Sequence, residues 1–167
     1  SFEGPAYVRL GRAAVPTFYT KEAAKEIRIG KAATLREGAK ADGGYADITI
    51  IATGIMVSEA MQAAEELAAE HGIEARVIDM HTIKPLDAEA IVKAAEETGA
   101  IVTAEEHSVI GGLGSAVAEV VTTHCPVKMY MVGQQDTFGE SGKPDELKKK
   151  YGMTKDDIVK GVLTLRK

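Results

Sequence analysis

The chain has 167 residues, 45% of them hydrophobic and 27% charged, which suits one folded domain with a real core and excludes a disordered chain. A formal net charge of −5, from 20 Lys and Arg against 25 Asp and Glu, excludes the basic stripe of a general nucleic-acid binder and argues against docking on anionic membranes. One cysteine, no tryptophan and 5% aromatics exclude an internal disulfide framework, a multi-cysteine zinc site and a stacking platform for bases. No apolar run approaches a membrane span and no secretory pattern opens the chain, so a reducing cytoplasm is the expected compartment.

Residues 1–44 read differently from the rest. A strand-like run, Ala6-Tyr7-Val8-Arg9-Leu10, follows Gly4-Pro5. With no helix before it, it reads as the tail of a preceding domain. Pro16 blocks regular structure, residues 20–26 form a loop or short helix, and Ile27-Arg28-Ile29 is a candidate edge strand. From Asp47 onward strand and helix alternate. Residues 47–53 are β-branched and apolar, as in a strand buried on both faces. Residues 58–69 carry a helical stripe (Ala60, Met61, Ala64, Leu67, Ala68) that Gly72 closes. Residues 75–80 form the next strand, and Pro85 and Asp87 start a helix that ends before Gly99. A strand at 100–104 leads into the loop Gly111-Gly112-Leu113-Gly114, then a helix to about Thr123 and a strand at 127–132. Helices at 144–151 and 155–165 finish the chain. This alternation predicts a three-layer α/β/α sandwich on a mostly parallel sheet. Lys148-Lys149-Lys150 reads as a solvated helix face.

The loop at 53–58 reads as a turn capped by Ser58 in preference to an anion site; its spacing fits neither a P-loop nor GxGxxG. The glycines at 111, 112 and 114 lack the third fingerprint position and the downstream ribose-binding acid. They read as room for a second backbone, from this chain or a partner subunit. Glu105-Glu106-His107 stands at a strand end, where open sheets collect ligands. It reads as a polar anchor for that loop or for an interface, with general acid–base work as the alternative. His81, at another strand end, is a structural residue, a ligand or a proton carrier, and the two histidines are candidates for one shared site. Arg9 and Arg12 are either a phosphate pair or surface ion pairs. Cys125, before Pro126, is a buried free thiol with no acid–base partner in sequence. Val109, Ile110 and Leu113 put three aliphatic side chains around the glycine loop, an expected contact with another subunit or domain, with Glu106 and His107 as its polar rim.

Seven stretches in order carry a resemblance: residues 4–12 (GPAYVRLGR), 29–32 (IGKA), 50–54 (IIATG), 81–87 (HTIKPLD), 103–107 (TAEEH), 111–114 (GGLG) and 138–142 (FGESG). Together they resemble the C-terminal third of transketolase-type, thiamine-diphosphate-dependent enzymes, and cover nearly the whole chain. The resemblance is nearest to transketolases, split ones included, and more distant to deoxyxylulose-phosphate synthases and the β subunits of 2-oxoacid dehydrogenases. It implies a five-stranded mixed sheet with one antiparallel strand, formed by residues 27–29 or a neighbouring segment. It divides the chain into residues 1–26, the tail of a pyrimidine-binding domain plus linker, and residues 27–167, the C-terminal domain. The implied function is transfer of a two-carbon ketol unit between sugar phosphates by the intact enzyme, a homodimer that uses thiamine diphosphate and Mg²⁺. The chain lacks the family's metal–diphosphate segment, so it is expected to bind neither alone, to carry no catalytic residue, and to depend on the other domains or subunit. By position Arg12 matches the family's sugar-phosphate arginine, with Gly11 where many members have serine; Arg9 is a second candidate. A fragment of a 2-oxoacid dehydrogenase β subunit and a stand-alone assembly module are the alternatives.

Overall fold

The computed structural model describes residues 3–11 and 13–166. Five strands form one sheet: β1 (Ala33–Arg36), β2 (Ile48–Ala52), β3 (Ala75–Asp79), β4 (Ala100–Ser108) and β5 (Lys128–Gln134), in the order β1-β3-β2-β4-β5. β1 runs antiparallel to β3 and the other neighbours are parallel. Every residue of β2 and β3 is buried, as suits strands covered on both faces, and β3 buries Arg76 and Asp79 along with its apolar residues. Successive side chains take opposite faces. Ile48, Ile50 and Ala52 join one core with α2 (Met56–His71) and α6 (Lys155–Leu165). Ile51 and Ile101 join a second core with α3 (Ala88–Thr98) and α4 (Leu113–His124). The result is the expected three-layer α/β/α sandwich with one antiparallel strand. α2 ends at Gly72, whose φ of +62° is open to glycine without strain, and Asp87 caps α3 by accepting from the Ala90 amide.

Several sequence expectations need correction. Residues 6–10 are not a strand: among the described residues no other strand pairs with them, and Tyr7, Val8 and Leu10 are exposed. The antiparallel strand is β1, the neighbouring segment that the resemblance allowed, and residues 27–29 are not themselves a strand. Ile27 and Ile29 are exposed, whereas the Ala32 amide donates to the Asp87 carboxylate and so sets Ala33 opposite Asp79 of β3. α2 starts at Met56 with Ile55 at its cap position and no side-chain cap, so Ser58 lies inside the first turn. β4 runs on to Ser108 and takes Glu105, Glu106 and His107 into the strand. α1 (Lys21–Lys25) is the short helix of the linker. In α5 (Pro144–Lys150) Lys149 and Lys150 are exposed, whereas Lys148 is half-buried against Glu59 of α2, Nζ to Oε1 2.6 Å.

Candidate functional site

Chemistry-bearing residues gather at the carboxyl ends of β2, β3 and β4. Glu105 of β4 is 1% exposed. Its two carboxylate oxygens accept from the Leu113 amide at 2.7 Å and the Gly114 amide at 2.8 Å, the first amides of α4. The helix N-terminus thus receives its anion from within the chain. Burial raises the Glu105 carboxyl above its ordinary value, and those two amides offset part of the rise. Gly112 makes the approach possible: a Cβ there would lie 2.0 Å from Glu105 Oε2 and 2.5 Å from the Ser108 carbonyl. The backbone approached at Gly112 therefore belongs to this chain.

The alternation of β4 separates the neighbours of Glu105. His107 shares its side, with Nδ1 3.8 Å from Glu105 Oε2 and 2.9 Å from the Ser108 carbonyl oxygen. Glu106 turns to the N-terminal segment and pairs with Arg9, Nη2 to Oε2 3.0 Å. Glu106 and His107 are thus not an acid–base pair. Leu113 is 1% exposed and packs in the core beside Ile91, Val117 and Val121. Its place on an external contact surface is corrected, since the side chain points under α4 rather than outward. Gly112 is buried as well; Ile110 and Gly111 are exposed and Val109 is half-buried. His81 is half-buried, bonded through Nδ1 to the Thr82 hydroxyl at 2.8 Å. β2 lies between the strands that lead to His81 and His107, and no hydrogen bond among the described residues joins the two histidines. Cys125 is half-buried at the end of α4. Arg12 lies outside the described residues.

The N-terminal segment crosses this edge as a strap. Arg9 is tied to β4 through Glu106. Gly11 lies against the loop after β2, where a Cβ would sit 3.3 Å from Ile55 Cγ2. Phe18 packs against the first core, and the Tyr19 hydroxyl donates to Asp79 Oδ2 of β3 at 2.5 Å. Residues 9, 11 and 19 thus meet β4, the loop after β2, and β3, in the order of the sheet. The Arg9 and Gly11 contacts lie at β4 and at the loop after β2, the two strands between which strand order reverses, the usual ligand position in such sheets. Burial raises the Asp79 carboxyl, offset in part by Tyr19 and by the nearby His81; burial, then Asp79, raises the Tyr19 hydroxyl. Sequence reading missed both residues. Tyr19 stands in a polar stretch with no period to mark it, whereas Asp79, an acid closing an apolar strand at its carboxyl end, was a legible signal.

A magnesium–diphosphate group does not fit this edge. Among the described residues no three His, Cys, Asp or Glu side chains are grouped to hold a metal ion, and a buried carboxylate already fills the N-terminus of α4.

The family model of the transketolase C-terminal domain matches residues 30–158. The chain belongs to that family. It is 51% identical over 95% of its length to a 6-deoxy-6-sulfo-D-fructose transketolase subunit of Clostridium sp., covering 46% of that protein. It is 47% identical over 95% of its length to an apulose-4-phosphate transketolase subunit of Phocaeicola vulgatus, covering 48% of that protein. A 1-deoxy-D-xylulose-5-phosphate synthase of Desulforudis audaxviator is 41% identical over 95% of the chain, which covers 24% of that enzyme. Among solved structures, a split-gene transketolase described as an inactive β4 tetramer superposes with a TM-score of 0.89 at 48% identity, over 98% of this chain and 50% of that one. The chain spans about half the length of the transketolase subunits it matches.

Proposed function

We propose that this chain is the C-terminal part of a split-type transketolase subunit, which together with the remaining domains transfers a two-carbon ketol unit between sugar phosphates. The observation that carries this reading is the closed carboxyl edge. The strap and Glu105 occupy the places where a sheet of this type would take a cofactor, so the chain's own contribution is assembly and substrate positioning. Thiamine diphosphate and Mg²⁺ belong to the other domains. Arg12 takes the sugar phosphate, with Arg9 beside it in sequence. Ile110, Gly111 and Val109, with Glu106 and His107 as polar rim, face another subunit of a homodimer in the cytoplasm.

Two measurements test the proposal. Calorimetric titration of the isolated chain with Mg²⁺ and thiamine diphosphate should give no saturable heat; low-micromolar binding would overturn the division of labour. In the assembled enzyme, Arg12→Ala should lower kcat/KM for phosphorylated sugars by roughly 10- to 150-fold and leave non-phosphorylated ones nearly unchanged. Equal losses for both would make Arg12 structural. A second reading, a 1-deoxyxylulose-5-phosphate synthase fragment, draws on the 41% identity to that enzyme. Identification of the product formed by the assembled enzyme separates the two.

A further inference from the structure

The opposite edge of the sheet, at the amino end of β3, carries a buried charge that the proposed transfer reaction does not use. Arg76 is the second residue of β3 and shares with Ile78 the face turned to α3. Its side chain is 8% exposed. Nη1 lies 2.5 Å from Glu97 Oε2 of α3, so one carboxylate already balances the guanidinium. Nε lies 3.3 Å from Glu37 Oε2, yet among the described residues this buried nitrogen has no hydrogen-bond partner. A buried donor left in that state is uncommon. Glu37 is 69% exposed, and an exposed carboxylate out of line for a hydrogen bond holds its place weakly.

Arg76 lines a cavity of about 260 Å³ between α3 and the segment that follows β1. The walls are held by the backbone. Gly38, at a φ of +61°, passes so close to β3 that a Cβ there would lie 2.5 Å from the Ala75 carbonyl oxygen. The turn at 40–44 is closed by the Gly43 amide on the Lys40 carbonyl at 3.0 Å and the Lys40 amide on the Gly44 carbonyl at 3.1 Å. Tyr45 adds an exposed aromatic wall. Lys93 of α3 lines the same cavity, is exposed, and makes no ion pair among the described residues. With Glu37 turned out to solvent, one positive charge in the cavity is unmatched, and a single anion restores the balance.

We propose that this cavity binds a small molecule through an oxyanion group, a carboxylate or a phosphate, held by Arg76 Nε and the Lys93 ammonium, with Glu37 as the group it displaces. The Nε side of a guanidinium takes such groups with two parallel hydrogen bonds. Tyr45 stands where the body of the ligand would lie. The volume falls just below the range of about 300–1,000 Å³ that encloses drug-sized ligands, which suits a metabolite of a few carbon atoms.

The test is a nuclear magnetic resonance titration of the full chain with inorganic phosphate and with acetate, against chloride matched for ionic strength. The Arg76 Nε–H resonance, assigned by through-bond correlation, reads the unpartnered donor directly. It should shift and saturate with phosphate, with acetate or with both, and the ion that saturates it identifies the oxyanion. Two substitutions at exposed residues leave the fold intact and should move the midpoint in opposite directions. Glu37→Gln removes the competing carboxylate and should tighten binding roughly three- to tenfold; Lys93→Ala should weaken it by a similar factor. A resonance that neither ion moves beyond the chloride control overturns the site. Saturation that responds to Lys93→Ala and not to Glu37→Gln overturns it as well, since the anion would then sit on the surface of α3 and away from Arg76. Saturation indifferent to both substitutions is an adventitious ion only, and it too overturns the proposal.

Discussion

Gly112→Ala probes the tightest packing at the carboxyl edge. The Gly112 φ of −97° is open to any residue, so the cost is steric and not conformational. The new Cβ would lie 2.0 Å from Glu105 Oε2 and 2.5 Å from the Ser108 carbonyl oxygen. The carbonyl belongs to the strand end, so the carboxylate must move. Moving it strands the Leu113 and Gly114 amides, which it now holds at 2.7 and 2.8 Å. Each buried donor left without an acceptor costs about 1–3 kcal/mol, and overpacking adds about 1–3 kcal/mol. Because one relaxation serves both, the expected loss is about 3–5 kcal/mol. With a urea slope of about 2 kcal/mol/M, the unfolding midpoint should fall by about 2 M. Gly111→Ala is the control: a Cβ there meets nothing within 4 Å, and only its φ of +74° is strained, a cost of about 1–2 kcal/mol. The double variant Gly112→Ala/Glu105→Ala should lose less than the sum of the singles, because the clash and the cap share one side chain. A Gly112→Ala midpoint no lower than the control's would refute the reasoning, since the loop would then accommodate the methyl group.

Burial raises the Glu105 carboxyl above its ordinary value near 4.5, so between that value and the raised one the folded chain keeps a proton that the unfolded chain has released. Stability from this group is full below about pH 4.5 and is lost as pH climbs through the folded value; Glu105→Gln should abolish that slope in urea midpoints taken across the window. Leu113→Asp puts a charge where the side chain is 1% exposed, and should cost the chain more than about 3 kcal/mol by circular dichroism melts. Ile110→Asp, at a residue 64% exposed, should change stability by less than about 0.5 kcal/mol and weaken subunit association in sedimentation. A normal association constant would remove Ile110 from the interface.

The sequence by itself determined the layers. The β-branched, largely apolar run at 48–52 reads as a strand covered on both sides, and the stripe of α2 and the acid before α3 mark helices whose ends are local chemistry. Helix caps, turn glycines and period-two faces depend on neighbours a few residues apart, so they are legible in a single chain. The ordered motifs carried the family as well. What the tertiary structure decided are contacts between residues far apart in sequence. Arg9 meets Glu106, Tyr19 meets Asp79, and Ala32 meets Asp87; none of these pairs shares a period or a motif. The third of them chose residues 33–36 over 27–29 as the antiparallel strand. Leu113 shows the same limit from the other side. A leucine after two glycines reads as a loop residue, but Glu105 reaches under the loop and starts α4 at that residue, and the first turn of a helix packed on a sheet points inward. Which carboxylate caps the helix and which pairs with an arginine depends on the two faces of β4, and that register is set only when the strand finds its place between β2 and β5.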